Sequence, residues 1–157
     1  MRGALIGCVL LVACSGSGEG PTPYTPGLGE IMTLTQMRHA KLWYAGEAGN
    51  WELAAYELDE LGEGFADART YHPTHKDAPQ PLALVLPTMV DAPLAALRIA
   101  VDRQDRVAFD AAFDALTDGC NACHRTMKFG FNVVQRPRTN AFPNQDFAPA
   151  TRGPPVP

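Results

Sequence analysis

The stretch Asp105 to Thr126, DRVAFDAAFDALTDGCNACHRT, sets Phe109, Phe113, Leu116 and Cys120 at i, i+4, i+7 and i+11. That spacing returns to one side of a 3.6-residue helix, with Asp105 opening it. Three more helical segments precede it. The first, about Gly29 to Ala45, draws its apolar positions from Ile31, Leu34, Leu42 and Trp43, and Gly46 and Gly49 punctuate its end. The second, about Trp51 to Ala68, has Asn50 as its cap and Leu53, Tyr56, Leu61 and Phe65 as its stripe, weakened by Gly62 and Gly64. The third lies between Leu82 and Arg103, with a stripe of Leu86, Val90, Leu94, Leu97 and Val101. Pro87 and Pro93 predict a kink there or a late start with Asp91 as the cap. Short links between amphipathic helices predict an all-α fold, an antiparallel up-down-up-down four-helix bundle. That topology puts the end of the fourth helix, the start of the first and the loop between the second and third at one end.

With 157 residues the chain is one domain's length, and 46% hydrophobic residues are enough for a core. A net charge of −4 and the absence of a Lys/Arg stripe exclude a nucleic-acid footprint. The four cysteines, Cys8, Cys14, Cys120 and Cys123, form two clusters at opposite ends of the chain, unlike a disulfide framework.

Cys120-Asn121-Ala122-Cys123-His124 is a C-x-x-C-H motif, the attachment signature of haem c. Two thiols one helical turn apart reach the two vinyl groups of one porphyrin, and the adjacent imidazole meets the iron as proximal ligand. Phe109, Phe113 and Leu116, on the preceding turns, are expected to floor the porphyrin. A thioredoxin-type redox pair belongs after a strand in a βαβ unit, a structural zinc needs four ligands, and a plain disulfide has no use for His124.

Arg2 is followed by the apolar run Ala4 to Ala13, too short to span a bilayer and typical of an export signal. Leu11-Val12-Ala13-Cys14 resembles the lipobox of bacterial lipoproteins, which implies cleavage before Cys14 and lipidation of its sulfur. The plainer reading is an ordinary cleaved signal. The expected organisation is a signal peptide at 1–13, a lipidated Ser/Gly/Pro-rich linker at 14–28, a helical domain at 29–127 and an extended tail at 128–157, too apolar to hang free. From Glu47 to Asp67 seven acids and no Lys or Arg predict a solvated face on the second helix.

Four helices with C-x-x-C-H near the end of the last resemble the class II c-type cytochromes, the cytochrome c′ and cytochrome c556 group. The resemblance covers roughly Gly29 to Met127; the thirty-residue continuation departs from it, and neither the Gln36/His39 pair nor Asn144 to Phe147 has a counterpart there. It implies one covalent haem on the periplasmic side of a membrane, redox partner proteins, and a homodimer as one state open to the chain. It also implies two uses of the iron's far side: a methionine from the first helix for electron transfer, or an open site that binds nitric oxide or carbon monoxide. By level along the helix, Met32 is the expected distal ligand, with His39, two turns deeper on the same face, as the alternative and core packing as the plain reading. Met37 is rotated away. Gln36 belongs at the haem edge or in solvent, and Arg136 or Arg138 pairs with a propionate if the tail covers that edge rather than the acidic second helix. Single-electron transfer is the expected function, gas binding the alternative and peroxidase activity, with His39 as acid–base group, a third. His72 and His75 read as solvated loop residues.

Overall fold

Two of the four helix starts are set by side-chain caps. The computed structural model describes residues 24–76 and 78–150, which hold α1 (Leu28–Glu47), α2 (Trp51–Tyr71), α3 (Leu82–Asp102) and α4 (Arg106–Thr126). The Asn50 side chain accepts from Leu53 N–H at 3.2 Å and the Asp105 side chain from Ala108 N–H at 3.0 Å, each satisfying a first-turn donor. Between α1 and α2 the chain reverses through Gly49, whose φ of 71° suits glycine. No strand occurs among the described residues.

α1 packs on α2, α2 on α3 and α3 on α4, giving the antiparallel up-down-up-down bundle. Leu42, Leu58, Leu61, Val90, Leu97, Phe109, Phe113 and Leu116 are buried at its centre. Two apolar positions of the expected stripes turn outward: Leu34 and Tyr56 are about half exposed, and Ala54 and Leu58 carry the buried face of α2 instead. The acidic second helix is not wholly solvated either. Glu57 is 1% exposed and pairs with Arg38 of α1 at 3.1 Å, while Arg38 also reaches Glu60 at 2.8 Å.

α3 neither starts late nor takes Asp91 as its cap. It begins at Leu82 after Pro81, and Pro87, Asp91 and Pro93 all lie inside it. Pro93 has no N–H to give the carbonyl of Met89, one turn earlier. Gly119 of α4 packs against that carbonyl; a Cβ there would sit 2.3 Å from the Met89 oxygen. The proline thus frees a carbonyl where the next helix needs a close backbone approach, and glycine permits that approach. Gly64 does likewise on α2, where a Cβ would lie 2.6 Å from Thr35 Oγ1.

α1 and α4 approach each other least closely of the neighbouring pairs, and the C-terminal segment lies along their seam. Asn121 clasps Val134 twice, donating to its carbonyl and accepting from its N–H, both at 2.8 Å. Arg136 pairs with Asp114 at 2.6 Å and lies 4.1 Å above the Trp43 ring. The Tyr44 hydroxyl donates to the Thr139 carbonyl. Phe142 and Phe147 pack on Tyr44, and Asn50 Nδ2 donates to the Ala148 carbonyl at 3.0 Å. The segment therefore runs from the end of α4 to the α1–α2 turn at the opposite end. It follows the α1–α4 seam, not the acidic side of α2.

Candidate functional site

The splayed seam leaves a cavity of about 280 Å³ at the end where α1 and α3 begin and α2 and α4 finish. Cys120, Cys123 and His124 line one wall. Met32, Gln36 and His39 of α1 line another, and Leu61 and Phe65 of α2 with Leu86 and Val90 of α3 make the rest largely apolar. Met37 is not among the lining residues, as its rotation along α1 requires. Phe109, Phe113 and Leu116 do not floor this cavity. They are 0% exposed, one layer deeper in the core. Among the described residues, no three His, Cys, Asp or Glu side chains are gathered as a metal cage.

Both thiols are unpaired. Burial pushes the Cys120 thiol up to about 12, and neighbouring Cys123 adds to the shift. Burial raises Cys123 as well. Both are therefore neutral thiols at physiological pH. A thioredoxin-type pair needs the opposite, a thiolate favoured by a helix N-terminus. This pair sits in the last turns of α4, where the helix dipole disfavours a thiolate.

His124 Nδ1 lies 2.6 Å from the carbonyl oxygen of Asn132, so Nδ1 carries the proton and donates it. Nε2 is left with its lone pair, the state a metal-ligating imidazole needs. The acceptor is held in place by the chain itself. Phe129 N–H donates to the His124 carbonyl at 2.7 Å and Asn132 N–H to the Phe129 carbonyl at 2.8 Å, with the Asn121 clasp just beyond. Asn121 and Asn132 were not visible as site residues in the sequence. The one available signal was an amide inside the motif and another in an otherwise apolar stretch.

His39 is spoken for at one nitrogen. Its Nε2 lies 2.8 Å from Thr117 Oγ1, whose own proton goes to the Phe113 carbonyl at 2.9 Å. Thr117 can then only accept, so His39 carries its proton on Nε2. The ring packs on Phe113 at 4.4 Å, and burial lowers its pKa to about 4. Gln36 lines the cavity while being exposed overall, so it stands at the rim. The two loop histidines part company. His75 lines the cavity and faces Phe129 at 5.8 Å, whereas His72 Nε2 lies 2.8 Å from the Pro26 carbonyl, outside it. Arg136 and Arg138 are not lining residues; Arg136 is engaged by Asp114 and Trp43, and Arg138 is exposed. From the tail, Phe129, Asn132 and Val134 reach the cavity. Cys14 and the signal segment lie outside the described residues. No protein-family model, no curated protein and no solved structure matches this chain.

Proposed function

We propose that the chain is an exported, lipid-anchored c-type cytochrome that carries single electrons between periplasmic partners through one covalent haem. The observation that carries this reading is the convergence of Cys120, Cys123 and His124 on one apolar cavity, with His124 fixed as the Nδ1–H tautomer. The donor set fits the group. Two unpaired thiols one helical turn apart on the cavity wall suit thioether attachment, in which each sulfur would bond a vinyl carbon and the thiol hydrogen would pass to the other vinyl carbon. His124 Nε2 suits the iron's proximal side. The bound group would supply the reversible one-electron change of its iron. The chain's part is to hold the imidazole through Asn132, keep water off the porphyrin with Leu61, Phe65, Leu86 and Val90, and set the distal side from α1.

Met32 suits that distal role. It lines the cavity, is partly buried and offers a thioether with no competing hydrogen bond. His39 suits it less, because its Nε2 is committed to Thr117. Its cavity-side part is as a neutral, uncharged neighbour.

The test begins with attachment. Acid–acetone extraction of the denatured protein should leave the haem on the polypeptide, and Cys120→Ala with Cys123→Ala should release it. Freely extracted haem from the wild type would end the cytochrome reading. Met32→Ala should then open the reduced iron to carbon monoxide. A wild type that already binds carbon monoxide as readily transfers the reading to an open, gas-binding site.

A further inference from the structure

The segments that surround the cavity mouth are 24–30 before and at the start of α1, 69–78 between α2 and α3, and 125–134 after the motif. They are tied together. The Pro26 carbonyl meets His72 of the second segment, and His75 of that segment faces Phe129 of the third. The three segments contain Arg69, Lys76, Arg125 and Lys128 against two acids, Asp77 and Glu30, and the Tyr24 hydroxyl engages Glu30. Among the described residues, Lys76, Arg125 and Lys128 form no salt bridge. Beside them stand large apolar side chains that the fold leaves in water: Phe131 is 83% exposed and Val133 69%, with the Phe129 ring tilted against Phe131 at 5.8 Å.

An exposed apolar residue alone is ordinary, but aromatics interleaved with cations are the composition of a membrane-surface contact. The patch is also rigid. The turn from Met127 to Val134 is pinned by the Met127 N–H, which donates to the Cys123 carbonyl at 2.9 Å, and by the bonds to His124 and Asn121 described above, so little ordering entropy opposes its docking. The chain's route selects the occupant. Residues 15–27 lead from Cys14 to the start of α1, which is at this same end. The ten residue steps from Cys14 to Tyr24, the first described residue, reach at most about 35 Å. A lipid on Cys14 would hold the cavity mouth, not the acidic flank of α2, within that distance of the bilayer. A diacylglyceryl anchor would hold the chain at the bilayer, and a basic patch would set which face of the bundle meets it.

We propose that the cavity end of the bundle lies against an anionic lipid surface, with Phe131 and Val133 at the headgroup–acyl boundary and Lys76, Arg125 and Lys128 on lipid phosphates. This rests on the lipid-anchor reading of Cys14. Glu52 and Asp59, in the first half of α2, then lie toward the far end of the bundle, away from a surface that would repel them.

The test is hydroxyl-radical footprinting of the full mature protein on phosphatidylcholine vesicles with and without phosphatidylglycerol. Oxidation of Phe131 should fall several-fold on the anionic vesicles alone, while Tyr56, half exposed on α2, stays reactive. Lys128→Ala and Arg125→Ala should each weaken this protection about fivefold. Phe131→Ser removes an exposed ring and leaves the core intact, and it should abolish binding of the neighbouring residues. Equal Phe131 oxidation on both kinds of vesicle, or protection of Tyr56 in its place, overturns the proposal. So does protection of Phe131 by a soluble acidic flavodoxin but not by lipid, which would make this a protein-docking face. The mass of the N-terminal peptide reads the anchor separately. An unacylated chain whose Phe131 is still protected loses the anchor and keeps the surface; one left unprotected loses both.

Discussion

His39 is the residue whose energetics are most directly measurable. Its native pKa of about 4 lies below the usual 6.5, so the unfolded chain binds the proton more readily. The stability it lends is present in full above pH 6.5 and drains as pH falls toward 4, below which both states are protonated. The loss across that window is about 3 kcal/mol. Urea unfolding from pH 7 to pH 4 should show this slope in the wild type and a much flatter one in His39→Gln. Equal slopes would mean that His39 opens to water before it charges. A second prediction concerns His124. On the cytochrome reading, its bond to the Asn132 carbonyl would make the imidazole a stronger donor and favour the oxidised iron. Asn121→Ala loosens the turn that carries this carbonyl, so the reduction potential should rise by about 40 mV, the equivalent of ~1 kcal/mol. An unchanged potential would make Asn121 a purely structural clasp. The chemistry-bearing side chains of this site were legible in the sequence because the motif's spacing is short-range. Asn121 and Asn132 were not, because their meaning depends on how a loop folds back eight to thirteen residues later.

At the level of helices, the contact of α4 with α3 is set by an absence. Pro93 withholds an N–H, and Gly119 withholds a side chain, at the same carbonyl of Met89. Gly119→Ala forces the two backbones apart immediately before Cys120. We expect about 1–3 kcal/mol of destabilisation, read as a lower melting temperature, together with reduced haem retention if the cytochrome reading holds. A variant as stable as the wild type would show that α4 can slide without cost. The sequence made the prolines look like a break, since in an isolated helix each would cost about 3 kcal/mol. Tertiary contact reverses that reading, and no window along one helix reveals it. The same limit explains Leu34, Tyr56 and Glu57. Periodicity locates a stripe, but the register at which two helices meet decides which of its edges is buried. Arg38 opposite Glu57 turns a nominally solvated position into an interior one.

For the whole molecule, the C-terminal segment has two parts with separate duties. Residues up to Val134 belong to the cavity; Arg136 onward closes the α1–α4 seam through Trp43, Tyr44 and Asn50. On the cytochrome reading, a chain ending after Gln135 should therefore keep its haem, its spectrum and nearly its potential. It loses buried Phe147 and partly buried Phe142, at a cost of about 3–5 kcal/mol. Its melting temperature should drop by roughly 10–15 °C. A shift in potential of the same size as that of a chain ending after Met127 would show that the whole tail acts on the cavity. That the tail docks was readable from its aromatics; its route was not, because it depends on which seam of the bundle stays open.

Every wall of the cavity comes from a different stretch of chain, and the motif-bearing helix is the last of the four to be made. Once α4 is seated, Cys123 is buried and Cys120 partly so, and burial holds both thiols protonated, Cys120 with a pKa of about 12, so that neither offers a thiolate. On the cytochrome reading this imposes an order of events in biogenesis. The prosthetic group must be joined while α4 is still loose. A polypeptide that closes first is locked out of maturation, with its thiols sheltered from periplasmic oxidants. The bundle then acts as a clock, and slowing the docking of α4 should raise the yield of loaded protein.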